Sequence, residues 1–190
     1  MTSQNSMPIK RFRESIEFCQ SSVAGLLNDV DDSELLRFFE CLDSSERIFV
    51  YGSGRSGLTS RAFAIRLAHL GFQSFVIGDT ICPPIHEKDL VVIVSGSGTT
   101  MPSLMTASIA DDIGAMVVAV TAHALSPLCK HADIIIKFGI IDSKKRALLA
   151  PLGSLFEMAC WILFDGVVAE LMLRKNESET SMRNRHATLQ

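Results

Sequence analysis

The stretch Leu90-Val-Val-Ile-Val-Ser-Gly-Ser-Gly-Thr-Thr100 decides the fold. Its first five residues are all apolar and mostly β-branched, the mark of a strand covered on both faces. The run stops at a loop of glycines and hydroxyls. Pro102 then opens a helical pattern that continues to about Ile113. A buried strand, a glycine loop and a helix form the repeating half of a parallel α/β sheet, because a parallel neighbour requires a crossover. The same grammar occurs upstream, where Ile48-Phe-Val-Tyr51 runs into Gly52-Ser-Gly-Arg-Ser-Gly57 and a helix from about Leu58 to Leu70, stopped by Gly71.

Working outward, Ser74–Ile77, Met116–Val120 and Asp133–Ile136 read as three more strands. Residues 14–42 carry helical spacing at Ile16, Val23, Leu26 and Leu27, then at Leu35, Leu36 and Phe39 after cap signals at Asp32 and Ser33. A last helix spans about Leu155 to Arg174, and a polar tail follows. The prediction is an α/β three-layer sandwich: a five-stranded parallel sheet with extra N-terminal and C-terminal helices. Residues 1–45 form a helical segment that packs on the domain, 46–174 form the domain itself, and 175–190 form the tail.

Bulk properties narrow the function. A chain of 190 residues buries a core without staples. The net charge of −3 supplies no basic face, so nucleic acid is not an expected partner. The five cysteines (Cys19, Cys41, Cys82, Cys129, Cys160) are dispersed, with no C-x-x-C pair, which predicts reduced thiols and no zinc site. Met1–Arg13 is polar and basic and has no apolar signal region, and Glu157, Asp165 and Glu170 interrupt the longest apolar stretch. A soluble, cytoplasmic protein without a membrane partner is expected.

The loops suggest chemistry. Gly52-Ser-Gly-Arg-Ser-Gly57 matches G-x-G-x-x-G, and Asp79 stands near the place of a ribose-binding acid, so a dinucleotide site is one reading. Against it, Ser53, Arg55 and Ser56 are donors suited to a phosphate monoester, and a second loop of the same kind follows in the next strand–loop–helix unit. That second loop, Ser95-Gly96-Ser97-Gly98-Thr99-Thr100, places hydroxyls and free backbone N–H groups at a helix N-terminus, where anions are favoured. It has no Walker lysine, which argues against ATP. A plain turn with an N-cap would also use these residues; two successive loops favour phosphate.

Gly52–Gly57, Arg66-Leu-Ala-His-Leu-Gly71, Ser95–Thr100 and Arg185-His-Ala-Thr-Leu189 together resemble the sugar isomerase (SIS) domain family, and within it the 6-phospho-3-hexuloisomerases. The resemblance runs from about Phe49 to the end. It implies a five-stranded parallel sheet and a homotetramer. It also implies interconversion of 3-hexulose 6-phosphate and fructose 6-phosphate with no metal and no organic cofactor. A 3-hexulose-6-phosphate synthase would be the metabolic partner. The chain departs from the family pattern at Asp79-Thr-Ile-Cys82, where Glu-Thr-Thr-Thr is usual, and at Thr188, where Asn is usual.

By the same resemblance Glu157 is the base that moves a proton between neighbouring carbons. Ser154-Leu-Phe-Glu157 is also an S-x-x-E capping box, so a purely structural reading stands beside the catalytic one. The resemblance further suggests that the tail docks, placing His186 over a neighbouring subunit's cleft; a lone histidine in a solvated tail is the alternative. His69 is read as a helix C-terminal residue, His86 as part of a turn, and His123 and His131 as flanking a loop. Another aldose-ketose phosphate isomerase of the same family, a sugar-phosphate sensor and an oligomer-forming interaction module are the competing functions.

Overall fold

The computed structural model describes residues 9–188; Leu189 of the tail motif and the first eight residues of the N-terminal segment lie outside them. Helices α1 (Lys10–Asn28) and α2 (Asp32–Ser44) precede the sheet. The cap of α2 lies one residue before the expected signals: Asp31 accepts from the N–H groups of Ser33 and Glu34, at 2.8 and 3.3 Å. The strands are β1 (Ile48–Gly52), β2 (Ser74–Val76), β3 (Leu90–Val94), β4 (Met116–Thr121) and β5 (Ile134–Lys137). All pair in parallel, in the order β2-β1-β3-β4-β5. The order reverses between β1 and β3, which is where such sheets open a crevice at their carboxyl ends.

Alternation along the strands sorts the helices onto two faces. Val50, Val92, Val94, Val118 and Val120 pack with α1, α2, α3 (Arg55–His69) and α6 (Ser154–Arg174). Phe49, Val91, Ile93, Val117 and Ala119 meet Ala107 and Ala110 of α4 (Met101–Ile113). The first face is built on aromatic contacts: Phe63 stacks on Phe164 at 4.2 Å between centroids, and Phe38 lies beside Phe63. Burying one such ring contributes about 2 kcal/mol over leaving it exposed. Helices α3 and α4 therefore leave adjacent strands on opposite faces, and both start at the β1/β3 crevice.

Two helices and one turn go beyond the expected elements. A 3-10 turn spans Pro127–His131, α5 spans Lys144–Leu149 with Ser143 as its cap, and α7 spans Glu179–Asn184. The tail is thus partly helical. Ser178 and Ser181 form a reciprocal cap there, a pattern of short hydroxyl residues that reads as loop in sequence. Among the described residues, no helix is long and apolar enough to cross a membrane.

Candidate active site

The first loop is closed by backbone contact. A Cβ on Gly57 would lie 2.5 Å from the Gly52 carbonyl oxygen, and one on Gly52 would lie 2.7 Å from the Ser56 backbone. Strand and helix approach so closely that α3 begins at Arg55, three residues before the sequence suggested. Ser56 faces the crevice, while Ser53 lies near the Tyr51 hydroxyl at 3.4 Å. Asp79, the dinucleotide-like acid, is engaged by Arg61 at 2.6 Å, so it is paired on the surface.

The second loop is closed by side chains from elsewhere. Gly98 has φ +61°, and a Cβ there would sit 2.0 Å from Ser126 Oγ. Gly96 lies against the Phe156 ring, 3.1 Å from the position of an added Cβ. Ser97 Oγ accepts from the Thr99 N–H at 3.2 Å and from its hydroxyl at 3.0 Å. Thr100 is the N-cap of α4 and makes no side-chain cap hydrogen bond, which leaves its hydroxyl free for a ligand. Ser95, grouped with the binding residues from sequence, is buried, with its hydroxyl unpartnered. It lies beneath the loop and does not line the crevice.

Gly96, Ser97 and Thr100 of the second loop, Ser56 of the first, and Glu157 line one cleft of about 560 Å³. Glu157 sits in the first turn of α6, its side chain only 12% exposed. The capping box is not formed. The N-cap is Gly153, so Glu157 falls one position past the box, and Ser154 Oγ donates instead to the Pro151 carbonyl at 2.6 Å. The freed carboxylate accepts from Arg55 Nε, which joins the two halves of the crevice.

The sequence reading missed the far wall. His123, Asp142, Arg146 and Phe156 all line the cleft. Arg146 reaches Asp142 and the Leu152 carbonyl, both at 3.4 Å, and Leu152 itself holds φ +58° in the turn before α6. Ser143 followed by Lys144-Lys-Arg146 and an apolar pair signals a capped helix start, but not that this helix borders the cleft. His131 pairs with Asp111 at 3.0 Å, and the His86 N–H serves Asp89.

His186 lies elsewhere in the chain. Its ring stacks on His69 at 4.9 Å, at the C-terminal end of α3, about 20 Å along that helix from Arg55. The helix end is satisfied by Arg185, whose Nη1 donates to the His69 carbonyl at 3.0 Å; the His69 ring itself is buried. Burial first, then the neighbouring His186 and Arg66, holds the His69 imidazole below its ordinary pKa. Arg185 also pairs with Glu177 at 2.8 Å, and that hydrogen bond, with one from Ser181, holds the carboxyl at about 2. Among the described residues, no group of three or more His, Cys, Asp or Glu side chains is placed to hold a metal ion.

A parallel sheet with two hydroxyl-bearing glycine loops and a carboxylate at its switch point defines an α/β protein built to hold a small anionic ligand. The chain belongs to the SIS domain family: residues 42–153 match the SIS domain model. It is 38% identical over 179 residues to an uncharacterized protein of Archaeoglobus fulgidus, covering 92% of this chain and 98% of that one. It is 36% identical to the 3-hexulose-6-phosphate isomerase of Bacillus subtilis, covering 88% and 97%. The crystal structure of a Methanococcus jannaschii protein, for which a molecular function of 3-hexulose-6-phosphate isomerase was inferred, superposes with a TM-score of 0.84. That pair is 31% identical, over 93% of this chain and 99% of the other.

Proposed function

We propose that this protein is a sugar-phosphate isomerase that interconverts 3-hexulose 6-phosphate and fructose 6-phosphate. The observation that carries the reading is the convergence of Glu157 and both glycine loops on one cleft. The relatives at 30–36% identity named 3-hexulose-6-phosphate isomerase support the choice of sugar.

In this reading the phosphate rests on Ser56, Ser97 and Thr100 and on the N-terminal N–H groups of α3 and α4, with Ser53, Arg55 and Thr99 at the rim and Ser95, Gly96 and Gly98 shaping the loop. Glu157 removes the proton from C2 of the open-chain 3-hexulose. The electron pair moves into a C2–C3 enediolate, the hydroxyl proton passes from O2 to O3, and the same carboxyl returns the carbon-bound proton to C3 as the carbonyl re-forms at C2. Arg146 and His123, on the far wall, are placed to donate to sugar oxygens, including the one that becomes anionic. His186 serves the cleft of a neighbouring subunit in a tetramer; its distance from the cleft of its own chain is consistent with that role. The metabolic partner is a 3-hexulose-6-phosphate synthase.

Mixing the protein with 3-hexulose 6-phosphate and following fructose 6-phosphate tests the reading. Turnover is expected. Tight binding without turnover would replace the isomerase with a sugar-phosphate sensor.

A further inference from the structure

The ion pair between Arg55 and Glu157 poses a problem for a base. Glu157 Oε2 accepts from the Arg55 guanidinium, so an oxygen that would have to reach a substrate C–H is directed at Arg55 instead. Among the described residues, Glu157 makes no other ion pair. The two partners are unlike in freedom. The Glu157 side chain is 12% exposed and held in the first turn of a long helix, whereas the Arg55 side chain is 67% exposed at the cleft rim. Arg55 is therefore the less confined partner.

Its backbone is fixed beside the phosphate cradle. Arg55 is the first residue of α3, next to Ser56, which lines the same cleft as Ser97 and Thr100. A phosphate monoester at neutral pH carries nearly two negative charges, against one on a carboxylate, so at equal distance it attracts the guanidinium about twice as strongly. It also offers oxygens for two parallel N–H donors.

We infer that Arg55 is a positioning residue that couples phosphate binding to release of the base: paired with Glu157 it holds the carboxylate, and a phosphate dianion draws it away. This inference rests on the phosphate-site and isomerase readings above. It adds that a sugar without phosphate meets a tied carboxylate, so the chain discriminates against such sugars through the base as well as through binding.

Two measurements test it on the full-length protein. The first is binding of inorganic phosphate by calorimetry to the wild type, E157Q, R55Q and the double variant. Coupling predicts that E157Q tightens phosphate about fivefold when Arg55 is present, and that most of this gain disappears in the R55Q background. A gain of equal size in both backgrounds is general charge repulsion and overturns the coupling. Absence of phosphate binding by the wild type overturns both the coupling and the phosphate site.

The second measurement is exchange of deuterium from solvent into fructose, with and without phosphite dianion, followed by NMR. The wild type is expected to be activated by phosphite. R55Q is expected to exchange fructose faster than the wild type without phosphite and to gain nothing when phosphite is added. R55Q exchange equal to or slower than wild type without phosphite shows that Arg55 merely binds phosphate and sinks the coupling, leaving the isomerase reading intact. Exchange that persists at full rate in E157Q removes Glu157 as the base, and the coupling falls with it.

Discussion

The two strand–loop–helix units that meet at the crevice look alike in sequence and are held in different ways. In the first, Gly52 and Gly57 bring backbone against backbone, so the loop is locked by its own strand and helix. In the second, Gly96 and Gly98 admit Phe156 from α6 and Ser126 from the segment after β4. The first loop is autonomous and contributes the guanidinium. The second, which brings Ser97 and Thr100 to the cleft beside Ser56 of the first, is shaped by distant parts of the chain, so its geometry is tied to the helix that carries Glu157. Similar motifs are here closed by unlike means, one within its own strand and helix and one through the rest of the fold.

The largest expected effect removes what both loops serve. Glu157→Gln should lower kcat for hexulose phosphate isomerisation by about 10²–10⁴ with KM changed only a few-fold, measured by steady-state kinetics. A variant at full rate would leave the two loops without a common purpose.

Next come the closures themselves. Gly57→Ala should cost about 3 kcal/mol in denaturant unfolding, with no side-chain substitution able to relieve it, because the obstacle is a carbonyl. Gly98→Ala should cost a similar amount but recover about 1–2 kcal/mol when combined with Ser126→Gly, which removes the obstructing side chain. The remainder is the left-handed backbone penalty of about 1 kcal/mol. If the double variant recovers nothing, the contrast between the loops collapses. Gly96→Ala is milder, under about 1.5 kcal/mol, because the Phe156 ring can give; it should raise KM more visibly than it lowers Tm.

The smallest effect concerns the tail, which neither loop touches. The Glu177 carboxyl is held at about 2 in the fold, so its contribution is present above its ordinary 4.5 and lost as pH falls from there toward 2. His69 is held below 6.5 and favours its neutral form, so its contribution is lost as pH falls below 6.5. Acidification should therefore loosen α7 in two stages, read as increasing proteolysis near Arg183 and Arg185 by an acid-tolerant protease. Arg185→Ala should weaken the lower stage, leaving the part due to Ser181, and keep the upper one.

The sheet was readable because parallel strands buried on both faces are written as continuous apolar runs: all five strands lie within a residue or so of their predicted places. The loops were readable because glycine and hydroxyl punctuation is local. The tail was harder, since α7 rests on a serine cap and on Arg185, which reaches a carbonyl 116 positions away. The far wall of the cleft was missed for the same reason. Arg146 and His123 reach the cleft through the fold, and nothing in their immediate neighbours announces it. Glu157 shows the reverse case: its local signal was a cap, and a one-residue shift of the helix start removed the cap and freed the carboxylate.

Helices α3 and α4 lie on opposite faces of the sheet yet begin at the same crevice. Each N-terminus carries about half a positive charge at that crevice. This attraction is made of amides, which neither gain nor lose protons across the physiological range. The pull on an anion is consequently indifferent to pH. For a phosphate monoester bound as proposed, pH dependence of the affinity between about 5 and 8 would belong to its second ionisation, near 6, and to the side chains around it. A binding curve measured against pH thus titrates the ligand and these side chains against a constant background.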